Sequence, residues 1–123
     1  MKIGVISSRA RRGKVYENDT YVIECLKKLV ALNKGDEKIE IISGGGKGPE
    51  TFAMEFAERE GYEITKIPPR IKVLGARAFT ERNRSIATEC DILAVFWAGE
   101  DPNIPAALSD AVILEKQSMV FPI

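Results

Sequence analysis

The stretch of this sequence best equipped for chemistry is Ser43-Gly44-Gly45-Gly46-Lys47-Gly48, and the chemistry it suits is anion binding. Glycines permit positive φ and let backbone amides approach a ligand with no Cβ in the way. Pro49 follows, a residue fitted to the first turn of a helix, where its missing N–H costs little. A helix N-terminus offers unpaired N–H groups and the positive end of the dipole, and both favour a phosphate. The run is not a Walker A loop, since no Gly-Lys-Ser/Thr closes it, and its spacing departs from the Rossmann Gly-x-Gly-x-x-Gly. A plain turn is the alternative, but four glycines in positions 44–48 exceed what a change of direction needs.

Charged residues elsewhere could serve the same anion. Arg82 and Arg84 fall early in a predicted helix, an unfavourable place for cations relative to the dipole unless they face a negative ligand. The alternative is a pair of solvated surface arginines. Asn83 could cap that helix or hydrogen-bond a base or ribose. Glu50 could accept from ribose hydroxyls or complement the dipole of its own helix. Arg9, next to Ser8 on a polar loop, could grip a phosphate with two parallel hydrogen bonds, or could be an ordinary surface charge. Trp97 is either core or a platform on which a base stacks. Asp91 suits the start of a strand, where it would orient backbone or arginine groups.

Composition excludes several function classes. With no histidine, His-based triads, His general bases and most zinc sites are ruled out. The two cysteines, Cys25 and Cys90, form no CxxC pair and fall on apolar helix stripes, so buried thiols are expected and no metal or cofactor is. Lys plus Arg and Asp plus Glu both total 18, so no overall field draws nucleic acid or an anionic membrane. The start of the chain has no signal-peptide apolar region, and no stretch is long enough to span a bilayer, so the cytoplasm is the expected location.

The elements that must position these residues alternate. Lys2–Ser7 is a predicted strand, followed by a polar loop over 8–18. Asp19 or Thr20 could cap a helix with Val22, Cys25, Leu26, Leu29 and Val30 inward, ended by Asn33 and Gly35. Lys38–Ile42 is the second strand, and the helix after the glycine loop carries Phe52, Ala53, Phe56 and Ala57 inward and stops at Gly61. Tyr62–Ile67 is the third strand, Pro68-Pro69 breaks it, and Ile71–Leu74 is a short extended piece. Thr80 could cap the next helix, with Ile86, Ala87 and Cys90 inward. Asp91–Trp97 is the kind of continuous apolar strand found in a sheet covered on both faces. After a loop over 98–103, Ile104, Ala107, Leu108, Ala111 and Val112 mark a last helix and Ser118–Phe121 a last strand. The 123 residues therefore predict one α/β domain, a three-layer Rossmann-like fold with a mainly parallel sheet and helices on both faces. Loops 7–12, 43–48 and 98–103 should meet at the carboxyl edge, where ligands of such sheets sit.

Four segments, in order, resemble the SLOG superfamily, which includes the DNA-processing protein A (DprA) family, the YspA/YpsA-like proteins and the LOG phosphoribohydrolases. Ile6-Ser7-Ser8-Arg9 is similar to the "GSR" after their first strand, with Ser7 where Gly is usual. Ser43 to Glu50 is similar to "SGGAxGxD", Arg82-Asn83-Arg84-Ser85-Ile86-Ala87 to DprA's "RNRIIA", and Asp91 to Gly99 to the YspA-like "DaviAFWdG". The resemblance implies a nucleotide or nucleotide-derived ligand held by Ser8, Arg9, Gly44–Gly48, Glu50, Arg82, Asn83 and Gly99, and a homodimer or higher homo-oligomer. Against the LOG motif "PGGxGTxxE", Pro49 falls at the Thr and Phe52 at the final Glu, so the hydrolase signature is missing. After Gly99, Glu100-Asp101-Pro102-Asn103 replaces the usual Gly-Thr. The extent of the chain matches YspA-like proteins rather than full DprA.

Three functions stand apart. A sensor, carrier or sequestering protein for a nucleotide fits the glycine loop and the Arg82-Asn83-Arg84 cluster. Hydrolysis of an N-glycosidic bond in a nucleoside monophosphate needs a carboxylate near the anomeric carbon; Glu50, Glu100 or Asp101 would have to serve, and Glu50 and Arg82 are the candidate catalytic residues. Single-stranded DNA binding, as in DprA, is opposed by the balanced charge.

Overall fold

The computed structural model describes residues 1–8, 14–32 and 38–123. Five strands form one sheet in the order β3-β2-β1-β4-β5, and every neighbouring pair is parallel. The strands are β1 (Lys2–Ser7), β2 (Glu40–Ser43), β3 (Glu63–Lys66), β4 (Ile92–Trp97) and β5 (Gln117–Pro122). The helices are α1 (Asp19–Val30), α2 (Pro49–Glu60), α3 (Ile71–Leu74), α4 (Ala78–Glu89) and α5 (Asn103–Ile113). The chain lays down β1, β2 and β3 in one direction and then crosses back to place β4 beside β1. Strand order reverses there, and the expected α/β architecture is the one observed.

Alternation along the strands divides the core in two. Ile3, Val5, Ile41, Ala94 and Phe96 pack with Val22, Leu26 and Leu29 of α1 and Ala53, Phe56 and Ala57 of α2. Ile6, Ile42, Leu93 and Val95 point the other way, against Ile86 and Ala87 of α4, Cys90, and Ile104, Ala107 and Ala111 of α5. Successive strand residues face opposite sides, which is why β4 is apolar throughout: both its faces are covered. Gly4 lets α4 approach the sheet, since a Cβ there would lie 2.7 Å from Ile86 Cγ2 and 2.9 Å from Cys90 Cβ.

Several boundaries differ from the sequence expectation for identifiable reasons. Asn18 caps α1, accepting from the Tyr21 amide at 3.1 Å, one residue before the expected Asp19 and two before the alternative, Thr20. Asn33 and Gly35, its expected stop, lie outside the described residues. Ile71–Leu74 is helical rather than extended: β3 has ended at Lys66, and the amides of Val73 and Leu74 turn back to the Arg70 carbonyl at 3.1 and 2.9 Å. A 3₁₀ turn over Gly75–Arg77 then leads directly into α4. The helix consequently begins before Thr80, whose hydroxyl donates to Asn103 Oδ1 at 2.7 Å instead of capping, and Asn83 is not in a capping position. Val112, expected inward, is 75% exposed because the buried stripe of α5 runs through Ile104, Ala107 and Ala111. Both cysteines are buried as expected, Cys90 just past the end of α4.

Candidate functional site

The last residues of three strands each deliver something to the carboxyl edge of the sheet. β1 ends in Ser7, whose hydroxyl donates to Glu50 Oε2 at 3.1 Å. β2 ends in Ser43, whose hydroxyl donates to the Glu50 carbonyl at 3.0 Å and accepts from the Gly45 amide at 3.2 Å. β3 ends in Lys66, in register with Ser43, and the next amide, that of Ile67, donates to the Ser43 carbonyl at 2.8 Å. The glycine loop is thus fastened to the strands on both sides before α2 begins.

Beneath the loop lies a buried ion pair. Arg82 Nη1 donates to Glu50 Oε1 at 3.0 Å, and Arg82 Nε donates to Asn83 Oδ1 at 2.8 Å. The guanidinium carbon lies 5.7 Å from the centroid of the Phe79 ring. Arg82 is 3% exposed and Glu50 4%. Withdrawing two charges from water costs several kcal/mol per ion, so burial on this scale requires close pairing and further hydrogen bonds, which Ser7 and Asn83 supply. Because α2 and α4 belong to opposite helical layers, the pair joins those layers across the end of the sheet.

Two glycines of the loop are dictated by this floor and by backbone conformation. A Cβ on Gly44 would collide with Arg82 Nη1 and Glu50 Oε1. Gly45, at φ 76°, is in the left-handed region, and a Cβ there would strike Lys66 Cε. Among the described residues, nothing accepts from the amides of Gly46, Lys47 or Gly48. The loop's carbonyls, by contrast, are used: Gly46 accepts from the Thr51 amide at 3.1 Å and Gly48 from the Phe52 amide at 3.0 Å. The free groups at the start of α2 are therefore donors.

A cleft of about 370 Å³ opens over Gly46 and Lys47 of this run. Gly44, Gly45, Gly46, Lys47, Lys66, Glu50 and Arg82 form its polar part, and Ser8, Val15, Pro68, Pro69 and Phe79 complete it. Of the residues expected from sequence, Ser8, Gly44–Lys47, Glu50 and Arg82 come together here. Gly48, at φ 91°, is buried, and a Cβ on it would lie 3.3 Å from the Tyr16 carbonyl oxygen. Asn83 is buried and holds Arg82 without lining the cleft. Gly99 lies on the exposed loop after β4 and does not line it, and neither do Glu100 and Asp101. Arg9 lies outside the described residues. Arg84 is exposed on α4.

Ser8 also ties the two sides of the strand-order reversal together. Its amide donates to the Phe96 carbonyl and its hydroxyl accepts from the Ala98 amide, both at 2.8 Å. Trp97 packs at the edge of the α4–α5 core with its indole Nε1 buried and unpartnered among the described residues. Asp91 accepts from the Lys2 amide at 2.8 Å, at the opposite end of the sheet from the cleft. Lys66, Val15, Pro68, Pro69 and Phe79 were not singled out from sequence. For Lys66 a signal existed: it precedes Pro68-Pro69 at the end of a strand, a position that an ordered parallel sheet sends to the ligand edge.

Among solved structures, DNA processing protein A from Helicobacter pylori, a protein with a unique single-stranded DNA binding mode, superposes with a TM-score of 0.62 at 16% identity. The fold is DprA-like. The likeness covers 100% of this chain and 66% of that protein, so this chain spans just under two thirds of its length. At that identity the DprA likeness concerns the course of the backbone. No family model matches the sequence, and no curated protein matches it. Among the described residues, no helix is long and apolar enough to cross a membrane.

Proposed function

We propose that this protein is a SLOG-type domain that binds a nucleotide or nucleotide-derived ligand, as a sensor, carrier or sequestering protein, with the ligand's phosphate on the Gly44–Gly48 loop. One observation carries the reading: among the described residues, nothing accepts from the amides of Gly46, Lys47 and Gly48 at the start of α2, beside a cleft lined by Lys47 and Lys66. Backbone donors, the helix dipole and lysine charge all favour the same anion. The cleft's size falls within the roughly 300–1,000 Å³ usual for small-molecule sites, and its Val15, Pro68, Pro69 and Phe79 surfaces suit an apolar base. Glu50 is the carboxylate available to glycosidic-bond chemistry in this cleft, and both its oxygens are engaged by Ser7 and Arg82, which favours binding over hydrolysis.

Isothermal titration calorimetry with adenosine and guanosine 5′-monophosphates and the corresponding nucleosides tests this. The monophosphates should bind and the nucleosides should not. Gly45→Val should abolish binding while the circular dichroism spectrum is retained, because the branched side chain intrudes between the loop and Lys66. Nucleosides binding as well as nucleotides, or undiminished affinity in a folded Gly45→Val protein, would reduce the loop to a turn. The DprA-like fold favours a second reading, in which the same amides hold a phosphate of single-stranded DNA. A salt-sensitive mobility shift with an oligonucleotide, lost in Gly45→Val, would select it.

A further inference from the structure

The charge lining the cleft exceeds what the glycine loop's own chemistry explains. Among the described residues, three cationic side chains, Lys47, Lys66 and Arg82, line it with one carboxylate, Glu50. Arg82 and Glu50 neutralise each other at 3.0 Å, so both lysine charges are in excess. Among the described residues neither lysine forms an ion pair. Lys47 belongs to the loop itself. Lys66 comes from another strand, held in register with Ser43, and its side chain lies across the α-carbon of Gly45. Its Nζ would lie 3.2 Å from a Cβ built on Gly45, one residue before the unpartnered amides. Adjacent Cα atoms are only ~3.8 Å apart, so the ammonium stands beside the amide run as a separate charge.

We propose that Lys66 is the specificity-determining residue of this cleft, selecting a ligand with two linked phosphoryl groups over one with a single phosphoryl group. This rests on the phosphate-binding reading above. The amides of Gly46–Gly48 and the α2 dipole take one phosphoryl group, and Lys66 takes the second. The ligand class is then a nucleoside diphosphate or another nucleotide containing a pyrophosphate unit. Gly45 acquires a second role: without a side chain, it leaves the lysine free to lie along the loop.

The test is calorimetry at fixed ionic strength with AMP, ADP, GMP and GDP on the wild-type chain, Lys66→Ala and Lys66→Arg. Lys66 is exposed, so both variants should fold, which circular dichroism and thermal melting verify. Hydrogen bonds to a charged partner support a preference of about tenfold or more for diphosphate over monophosphate in the wild type. Lys66→Ala should weaken diphosphate binding far more than monophosphate binding and so remove that preference, and Lys66→Arg should keep most of it. A wild type without the preference, or an alanine variant weakened equally toward both ligands, overturns the role of Lys66 and leaves the phosphate loop standing. Failure of all four nucleotides to bind the wild type overturns both readings.

Discussion

Glu50 and Arg82 are the residues on which the loop rests. Replacing Glu50 by Gln would keep its shape and leave the Arg82 guanidinium buried with no counter-charge. Breaking a buried pair in this way costs roughly 3–5 kcal/mol, so Glu50→Gln should lower the unfolding free energy by that order in urea titrations. Replacing both together, Glu50→Leu with Arg82→Met, should recover much of the loss, because the desolvation cost disappears with the charges. A Glu50→Gln protein as stable as wild type would mean that the pair does not hold the loop's floor. Sequence alone marked both residues but left them free to face a ligand or solvent. Their mutual pairing was hidden because it joins positions 32 apart on helices of opposite layers, which no local pattern records.

At the scale of elements, the contact of β1 with α4 is a second point of sensitivity. Cys90 sits against Gly4, and burial pushes its thiol from 9.0 up to about 11. The unfolded chain loses this proton first, so between about pH 9 and 11 the native state holds more protons. The stabilisation from keeping the thiol neutral is complete below pH 9 and is lost as the pH rises through that window. Urea unfolding at successive pH values across that window should show a steeper loss of stability in wild type than in Cys90→Ala. Equal slopes would contradict this. The strands, the two helical stripes around Cys25 and Ala53, and the glycine loop were legible because apolar periodicity is local. The start of α4 was not: Thr80 has the character of a cap, but the preceding 3₁₀ turn already supplies the helix with its first turn, and the hydroxyl is taken by Asn103. Nor was the short α3, where a Pro-Pro break predicts an interruption without its outcome.

At the scale of the molecule, strand order β3-β2-β1-β4-β5 decides which loops meet. Ser8 and Val15 after β1 and Gly44–Lys47 after β2 line the cleft, whereas the loop after β4 meets β1 through Ser8 and, among the described residues, contributes no wall to it. β3 takes that place, so Lys66 and Pro68-Pro69 enter. At the other side of the sheet, the end of α5 and edge strand β5 expose Val112, Ile113, Met119 and Val120, with Ile113 77% exposed. Exposed apolar side chains of this kind favour association. Light scattering on the chromatographed protein should give twice the 13.6 kDa chain mass, and Ile113→Asp should return it to the single-chain mass. A wild-type monomer at micromolar concentration would contradict the homo-oligomer.

The most direct measurement is a titration of ¹⁵N-labelled protein with a nucleoside 5′-monophosphate, followed by amide NMR. The amides of Gly46, Lys47 and Gly48 should shift first and furthest, with the Arg82 Nε resonance little changed because Glu50 and Asn83 already hold that side chain. Saturating shifts confined to the exposed α5–β5 surface or to the opposite end of the sheet, with those three amides unmoved, would contradict the account.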